Sequence, residues 1–179
     1  IPYKQAIIPF LDGLSDEAQQ IGAVNCVSFK NGKKIGYNTD AFGFEKTLLI
    51  NKKDHHKKAL ILGDGGAAKA VRYILDKHNI EHQTISRKSE ITFENLSEDL
   101  VKESLLIIQT TPVGTFPNVD DSVAFPFNAI TDKHYVIDLI YNPSETAFLR
   151  KSAEKGATTL NGFYMLEQQA EKAWAIWKS

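Results

Sequence analysis

Three glycines within four positions, Gly63, Gly65 and Gly66, close the apolar run Lys58–Leu62 and open a helical pattern of Ala67, Ala70, Val71, Ile74 and Leu75. A strand, a tight turn and a helix start in that order can hold an anion, because the first N–H groups of a helix have no partner within it. Gly63, Gly65 and Ala68 also occupy the three slots of the dinucleotide fingerprint G-x-G-x-x-[GA]. Gly63 permits the sharp turn, Gly65 lets a pyrophosphate reach the backbone, and Ala68 lets the helix pack close to the strand. Asp64, Gly66 and Ala67 complete the loop. Turns of this kind also occur without a ligand, so the next strand has to discriminate. Gln83–Ser86 reads as that strand, and Ser86, Arg87 and Lys88 stand at its end, about twenty residues beyond the turn. A site for an unmodified ribose would carry an acid there. A hydroxyl and two cations suit a 2′-phosphate instead, which Arg grips with a bidentate fork. A solvated basic turn is the plain alternative; the pattern as a whole favours NADP(H) over NAD.

Further candidates lie downstream. The apolar run Leu105–Ile108 leads into Thr110-Thr111-Pro112-Val113-Gly114. Ligands of open parallel sheets bind at the carboxyl ends of the strands, so Thr111 is a candidate wall of the cofactor site. Near the C-terminus, Met165, Gln169, Ala173 and Trp177 recur every four residues, with Leu166, Ala170 and Trp174 beside them. That stripe makes Trp174 and Trp177 expected core residues. Gln169 is a polar amide within it, and a buried amide must find either a backbone partner or a ligand hydroxyl. His55 and His56 fall in a polar, basic run. Neighbouring side chains of a strand face opposite ways and no other ligand is close in sequence, so a solvated loop is expected there rather than a metal. Cys26 has apolar neighbours and reads as a packed residue. A lone cysteine forms no internal disulfide and suits a reducing compartment, so a cytoplasmic location is expected.

The elements that must position these residues can be traced along the chain. Its 179 residues, 42% of them hydrophobic, are enough for one full domain and part of another. The net charge of −1 favours neither nucleic acid nor an anionic membrane as a partner, and no apolar run approaches the ~20 residues of a membrane span. Lys4–Asp12 reads as a short helix interrupted near Pro9, and Ser15 or Asp16 as the cap of a helical turn. Val24–Lys30 and Lys34–Tyr37 flank Asn31-Gly32 and read as a hairpin. A helical pattern follows Asn38-Thr39-Asp40. From the residues alone, Lys4 is a surface lysine and Asp40 a cap for a helix beginning at Ala41. Beyond the glycine turn come a helix over Phe93–Lys102, a loop over Phe116–Asn128, a strand over Tyr135–Ile140, a helix over Thr146–Lys155 ended by Gly156, a strand over Thr158–Leu160, and a last helix from Phe163 to Trp177. The alternation predicts a Rossmann-type α/β fold, a doubly wound parallel sheet.

Several of these segments together resemble the shikimate dehydrogenases. Gly22-Ala23-Val24-Asn25-Cys26 and Gly36-Tyr37-Asn38-Thr39-Asp40 are similar to the family's G-A-x-N-[TC] and G-x-N-T-D. Gly63-Asp64-Gly65-Gly66-Ala67, Ser86-Arg87-Lys88 and Thr110–Gly114 resemble its cofactor loops. Asp138-Leu139-Ile140-Tyr141-Asn142-Pro143 matches D-x-x-Y-x-P, and Asn161-Gly162-Phe163-Tyr164-Met165-Leu166 with Gln169 matches the closing motif. The resemblance implies NADPH-dependent reduction of 3-dehydroshikimate to shikimate. It implies Lys4 as proton donor with Asp40 beside it, both also binding substrate, and Asn25, Tyr141 and Gln169 as further substrate contacts. Leu139 and Gly162 would meet the nicotinamide end. Residues 1–42 are expected to belong to a substrate domain, 43–160 to an NADP-binding domain, and 161–179 to a helix returning to the first. Ile1-Pro2-Tyr3-Lys4 resembles the end of an N-V-T-x-P-x-K motif. A fragment lacking the family's N-terminal portion, with little or no turnover by these residues alone, is therefore expected, either as a monomer or as a homodimer.

The chain departs from the family pattern at Asp64, where a small neutral residue is usual, and at Gln109, Thr115 and Ala41, where Asn, Met and Gly are common. A carboxylate beside a pyrophosphate is unfavourable unless it turns away or pairs with a cation such as Lys69. The alternatives are a quinate-oxidising relative using NAD, and a non-catalytic nucleotide-binding relative.

Overall fold

The computed structural model describes residues 3–179; Ile1 and Pro2 of the first motif lie outside the described residues. Five parallel strands form the main sheet: β4 (Lys58–Leu62), β5 (Glu81–Ile85), β6 (Leu106–Gln109), β7 (Tyr135–Asp138) and β8 (Thr158–Leu160), in the order β5-β4-β6-β7-β8. The three central strands β4, β6 and β7 are buried and largely apolar because both their faces are covered, whereas the edge strands β5 and β8 are polar and partly exposed. Successive residues serve opposite cores. Ala59 and Ile61 join one cluster with Ile108 and Ile137, whereas Leu60 and Leu62 join the other with Ile107 and Val136. Helices α3 (Gly66–Lys77), α4 (Glu98–Glu103) and α5 (Ala147–Glu154) make the crossovers.

A smaller sheet precedes it. β1 (Gly13–Leu14) runs parallel to β3 (Lys33–Tyr37), which pairs antiparallel with β2 (Cys26–Lys30) through the Asn31-Gly32 turn. Both turn residues have positive φ, as this kind of hairpin requires. Short helix α1 (Asp16–Ile21) is capped by the Ser15 hydroxyl. Between the sheets run α2 (Thr39–Asn51) and the last helix, α6 (Phe163–Lys178), packed along each other. α2 runs unbroken through residue 42, so a boundary drawn there falls inside a helix. No helix among the described residues is long and apolar enough to cross a membrane.

Several local expectations are corrected. Over Lys4–Asp12 only Ile8–Phe10 is helical, as one 3₁₀ turn, because Pro9 lacks a donor and Asp12 is drawn to Lys34 by two hydrogen bonds. The helix expected over Phe93–Lys102 begins at Glu98; upstream, the Asn95 side chain accepts from the Thr92 N–H at 2.6 Å and holds a turn instead. Trp174 and Trp177 are exposed rather than core. α6 meets α2 through Met165 and Gln169 higher up, and Trp177 lies over the edge of the small sheet, its indole N–H donating to the Val27 carbonyl. His56 is buried rather than solvated: its Nδ1 accepts from the Lys53 N–H, its Nε2 meets the Lys133 carbonyl, and burial pushes its pKa down. His55 reaches that same carbonyl, so the two rings converge. Cys26 is buried as expected, which raises its thiol pKa.

Asp138, at the carboxyl end of β7, is fully buried. Its Oδ1 accepts from the Ile140 N–H at 3.0 Å and its Oδ2 from the Thr146 hydroxyl at 2.6 Å, tying the loop to the cap of α5. Burial outweighs these bonds and raises its pKa from 3.8 to about 6. A raised acid favours the folded state in its protonated form, so this contribution is present at low pH and lost as pH rises through about 6. Asp138→Asn removes that dependence. The unfolding free energy of the variant relative to the parent should improve between pH 4 and pH 7, by up to on the order of 3 kcal/mol. Denaturant unfolding at the two pH values measures it, and a difference that does not change with pH would refute it.

Candidate active site

The strand order reverses between β4 and β6, and a crevice opens at their carboxyl ends. Gly63 lines it with φ +112°, and a Cβ there would lie 2.7 Å from the Thr110 hydroxyl and 2.9 Å from Thr111 Cγ2. Only glycine lets the loop pass this close to Thr110-Thr111. Gln109 holds the opposite wall in shape: its Oε1 accepts from the Thr111 N–H and its Nε2 donates to the Val113 carbonyl. α3 begins here with Gly65 as its N-cap and no side chain capping it, whereas Ser15, Asn38, Ser97 and Thr146 cap α1, α2, α4 and α5. A Cβ on Gly65 would meet nothing within 4 Å. The start of α3 thus combines uncapped N–H groups with open space, which fits a pyrophosphate.

A pocket of about 580 Å³ adjoins this helix start. Lys4, Asn25, Asp40, Tyr141 and Gln169 all line it, and so do Ala67, Leu139 and Gly162. Lys4 reaches it from the N-terminal turn and pairs there with Asp40 Oδ2. Gly66 faces the stem of Lys4, so the glycine loop and the ion pair are neighbours. Asp40 does not cap α2. Asn38 does, its Oδ1 accepting from the Ala41 N–H, which leaves Asp40 in the first helical turn facing the pocket.

Asn25 holds the other carboxylate oxygen, its Nδ2 donating to Asp40 Oδ1 at 2.9 Å, and its Oδ1 accepts from the Thr39 N–H at 2.8 Å. The Thr39 hydroxyl joins Asn25 to Gln169, lying 3.0 Å from Asn25 Nδ2 and 3.2 Å from Gln169 Oε1. Gln169 has the expected backbone partner, since its Nε2 donates to the Leu166 carbonyl, and a side-chain one in Thr39. Thr39 was not among the expected site residues. Its signal is its place between Asn38 and Asp40, where the helix start must turn its hydroxyl inward. Met165, Leu166, Ile7 and Val24 supply apolar walls. Gly162 starts α6 so close to β7 that a Cβ would overlap the Leu139 carbonyl.

Ser86, Arg87 and Lys88 lie apart from this pocket, at the end of β5. The Ser86 hydroxyl accepts from the Lys88 and Ser89 N–H groups, closing a tight turn that leaves Arg87 and Lys88 exposed. Asp64 does not pair with Lys69. It accepts from Arg72 Nη1 at 2.8 Å, so its charge turns toward β5.

The main sheet and crevice define a Rossmann-type α/β protein with a largely apolar pocket, carrying an ion pair and two amides, against its glycine turn. Residues 1–27 match the model for the shikimate dehydrogenase substrate binding domain. The chain is 40% identical over 200 residues to the "Shikimate dehydrogenase (NADP(+))" of Methanococcus maripaludis strain C6, covering 99% of this chain and 70% of that protein. It is also similar to two solved structures, each with a TM-score of 0.87. One is the shikimate 5-dehydrogenase of Thermus thermophilus in complex with NADP(H) and shikimate, 32% identical over 99% of this chain and 70% of that one. The other is the quinate dehydrogenase of Corynebacterium glutamicum in complex with NAD, 30% identical over 98% and 69%. The chain belongs to the shikimate dehydrogenase family.

The pocket depends on how closely α2 and α6 approach. A Cβ on Gly43 would lie 2.6 Å from the Met165 carbonyl and 3.2 Å from the Gln169 backbone. Gly43→Ala should lower the unfolding free energy by about 1–3 kcal/mol despite alanine's better helix propensity. Urea denaturation reads the change, and an unchanged or higher midpoint would show that the helices part without cost.

Proposed function

We propose that this protein interconverts 3-dehydroshikimate and shikimate with NADP(H). The observation that carries this reading is the Lys4–Asp40 pair, set in a mostly apolar pocket directly against the uncapped, glycine-rich start of α3. A ligand on the helix start and a ligand on the ion pair would be in contact. NADPH, when bound, supplies the hydride.

The chain's own residues do the rest. As the ketone is reduced, negative charge grows on its oxygen, and the Lys4 ammonium neutralises that charge and delivers a proton to it. Asp40 holds Lys4 by a charge-assisted hydrogen bond, and Asn25 fixes the rotamer of Asp40. In the reverse direction Lys4 accepts the hydroxyl proton. Gln169 and Tyr141 contact the ring substituents, and the apolar residues beside them limit water. Gly63, Gly65, Gly66 and Ala67 give the pyrophosphate its backbone approach, and Thr111 forms the opposite wall. Asp64 lies in the same loop. Ser86, Arg87 and Lys88 take the 2′-phosphate, and the backbone of Leu139 and Gly162, which lines the pocket, meets the nicotinamide end. Residues 43–160 would thus carry the cofactor, 1–42 the substrate, and 161–179 a helix joining the two. The buried, lone Cys26 suits a cytoplasmic protein.

Oxidation of quinate with NAD is the second reading, favoured by the likeness to the Corynebacterium structure. The exposed Arg87 and Lys88 weigh against it. Calorimetric titration separates the two: NADPH should bind more tightly than NADH, and the opposite order would overturn the cofactor assignment. Single-turnover reduction of 3-dehydroshikimate reads the chemical step even where steady-state turnover is slow. Lys4→Met should slow that step by about 10²–10⁴-fold while leaving NADPH affinity unchanged. A variant as fast as the parent would remove Lys4 from the chemistry.

A further inference from the structure

Asp64 is the residue of the glycine loop that fits the resemblance least, and the structure shows where its charge goes. Arg72 projects from the second turn of α3, and its Nη1 lies 2.8 Å from Asp64 Oδ1 and 3.4 Å from the Thr84 hydroxyl. Thr84 stands on β5 two residues before Ser86. Side chains two apart on a strand share a face, roughly 7 Å from each other. The Asp64–Arg72 pair therefore sits beside the turn that presents Arg87 and Lys88. Both members are partly open to water, with side-chain exposures of 53% for Asp64 and 26% for Arg72. Arg72 is thus available to a ligand, and the carboxylate it holds can be displaced.

We infer that Arg72 is a third cation of the 2′-phosphate subsite and that Asp64 competes with the phosphate for it, so that this pair sets the preference for NADPH over NADH. The inference rests on the NADP(H) reading above. A dianionic phosphate on the Ser86–Lys88 turn draws the Arg72 guanidinium from Asp64, because a fork of N–H donors satisfies phosphate oxygens better than one carboxylate oxygen. The carboxylate left behind faces the phosphate across a few ångströms and repels it. Asp64 therefore weakens NADPH twice, by holding Arg72 in the free protein and by opposing the phosphate in the complex. NADH has no 2′-phosphate and experiences neither effect. The site keeps its preference but holds NADPH less tightly than its three cations alone would allow.

Titration of the parent, Asp64→Asn, Arg72→Gln and the double variant with NADPH and NADH tests this. Asp64→Asn should tighten NADPH about 2- to 5-fold, the worth of an exposed ion pair, with NADH unchanged. Arg72→Gln should weaken NADPH about 10-fold, the worth of a hydrogen bond to a charged group, and Arg72→Lys should fall between. The double variant decides Arg72's role. If Arg72 contacts the phosphate, the double variant binds NADPH more weakly than Asp64→Asn alone. If the two bind equally, Arg72 only neutralises Asp64 and the inference is overturned. Equal effects of Asp64→Asn on NADPH and NADH would also overturn it, since they would place Asp64 on the shared pyrophosphate. Absence of NADPH binding by the parent is a different failure, because it removes the cofactor reading on which the inference stands. Lower salt should widen the NADPH differences, as it must for partly exposed charges.

Discussion

The close crossing of α2 and α6 is the constraint from which the site follows. Gly43 brings the backbone of α6 within reach of α2, where any side chain would collide with the Met165 carbonyl. That contact sets Thr39 and Gln169, one in the first half of each helix, in hydrogen-bond range. α2 also carries Asp40 in its first turn and packs against α3, whose glycine-rich start faces Lys4. One helix pair thereby relates the ion pair, the amides and the helix start, which come from three separate parts of the chain.

The two halves of the site are held by different physics. The cofactor side is backbone: a positive φ at Gly63, uncapped N–H groups on α3, and a loop braced by the Gln109 amide. Such a surface is set by strand ends and tolerates no added volume at Gly63. The pocket side is a network of side chains, Lys4–Asp40–Asn25–Thr39–Gln169, whose shape depends on every member having its partner. The Asp138 carboxylate braces the boundary between them, since the loop it ties carries Leu139 and Tyr141.

What could be read in the sequence follows from how local each determinant is. The central strands of the sheet were legible because burial on both faces leaves apolar runs, and the hairpin because Asn31-Gly32 meets a backbone demand. The end of α6 was misread. A stripe with period four says that one face is apolar, but not that a partner helix extends as far as Trp177. The helix expected from Phe93 failed for a local reason, the Asn95 turn, that propensity alone does not resolve. The burial of His56 depends on a carbonyl from Lys133, far along the chain. Lys4 and Asp40 gained their roles only through resemblance, as nothing in their immediate neighbours sets them apart. The cap at Asn38 then explained why Asp40 is free to face the pocket. Arg72 had no distinguishing feature on α3 until its side chain was seen to reach Asp64 across the loop.

Counting protons along the pocket network shows what kind of molecule it can accept. Asn25 directs its amide N–H groups to Asp40 and Thr39, and the Thr39 hydroxyl has one proton to give. Among the described residues, Gln169 has one N–H left after Leu166, and Lys4 has two left after Asp40. The unspent donors of Gln169 and Lys4 thus stand beside unspent lone pairs, those of Asp40 carrying the charge. A guest that only donates would leave these protons stranded in a partly buried pocket. A guest whose oxygens both give and receive, such as adjacent hydroxyls on a ring, can meet both kinds of group, so the network's own proton count already discriminates among ligands of the same size.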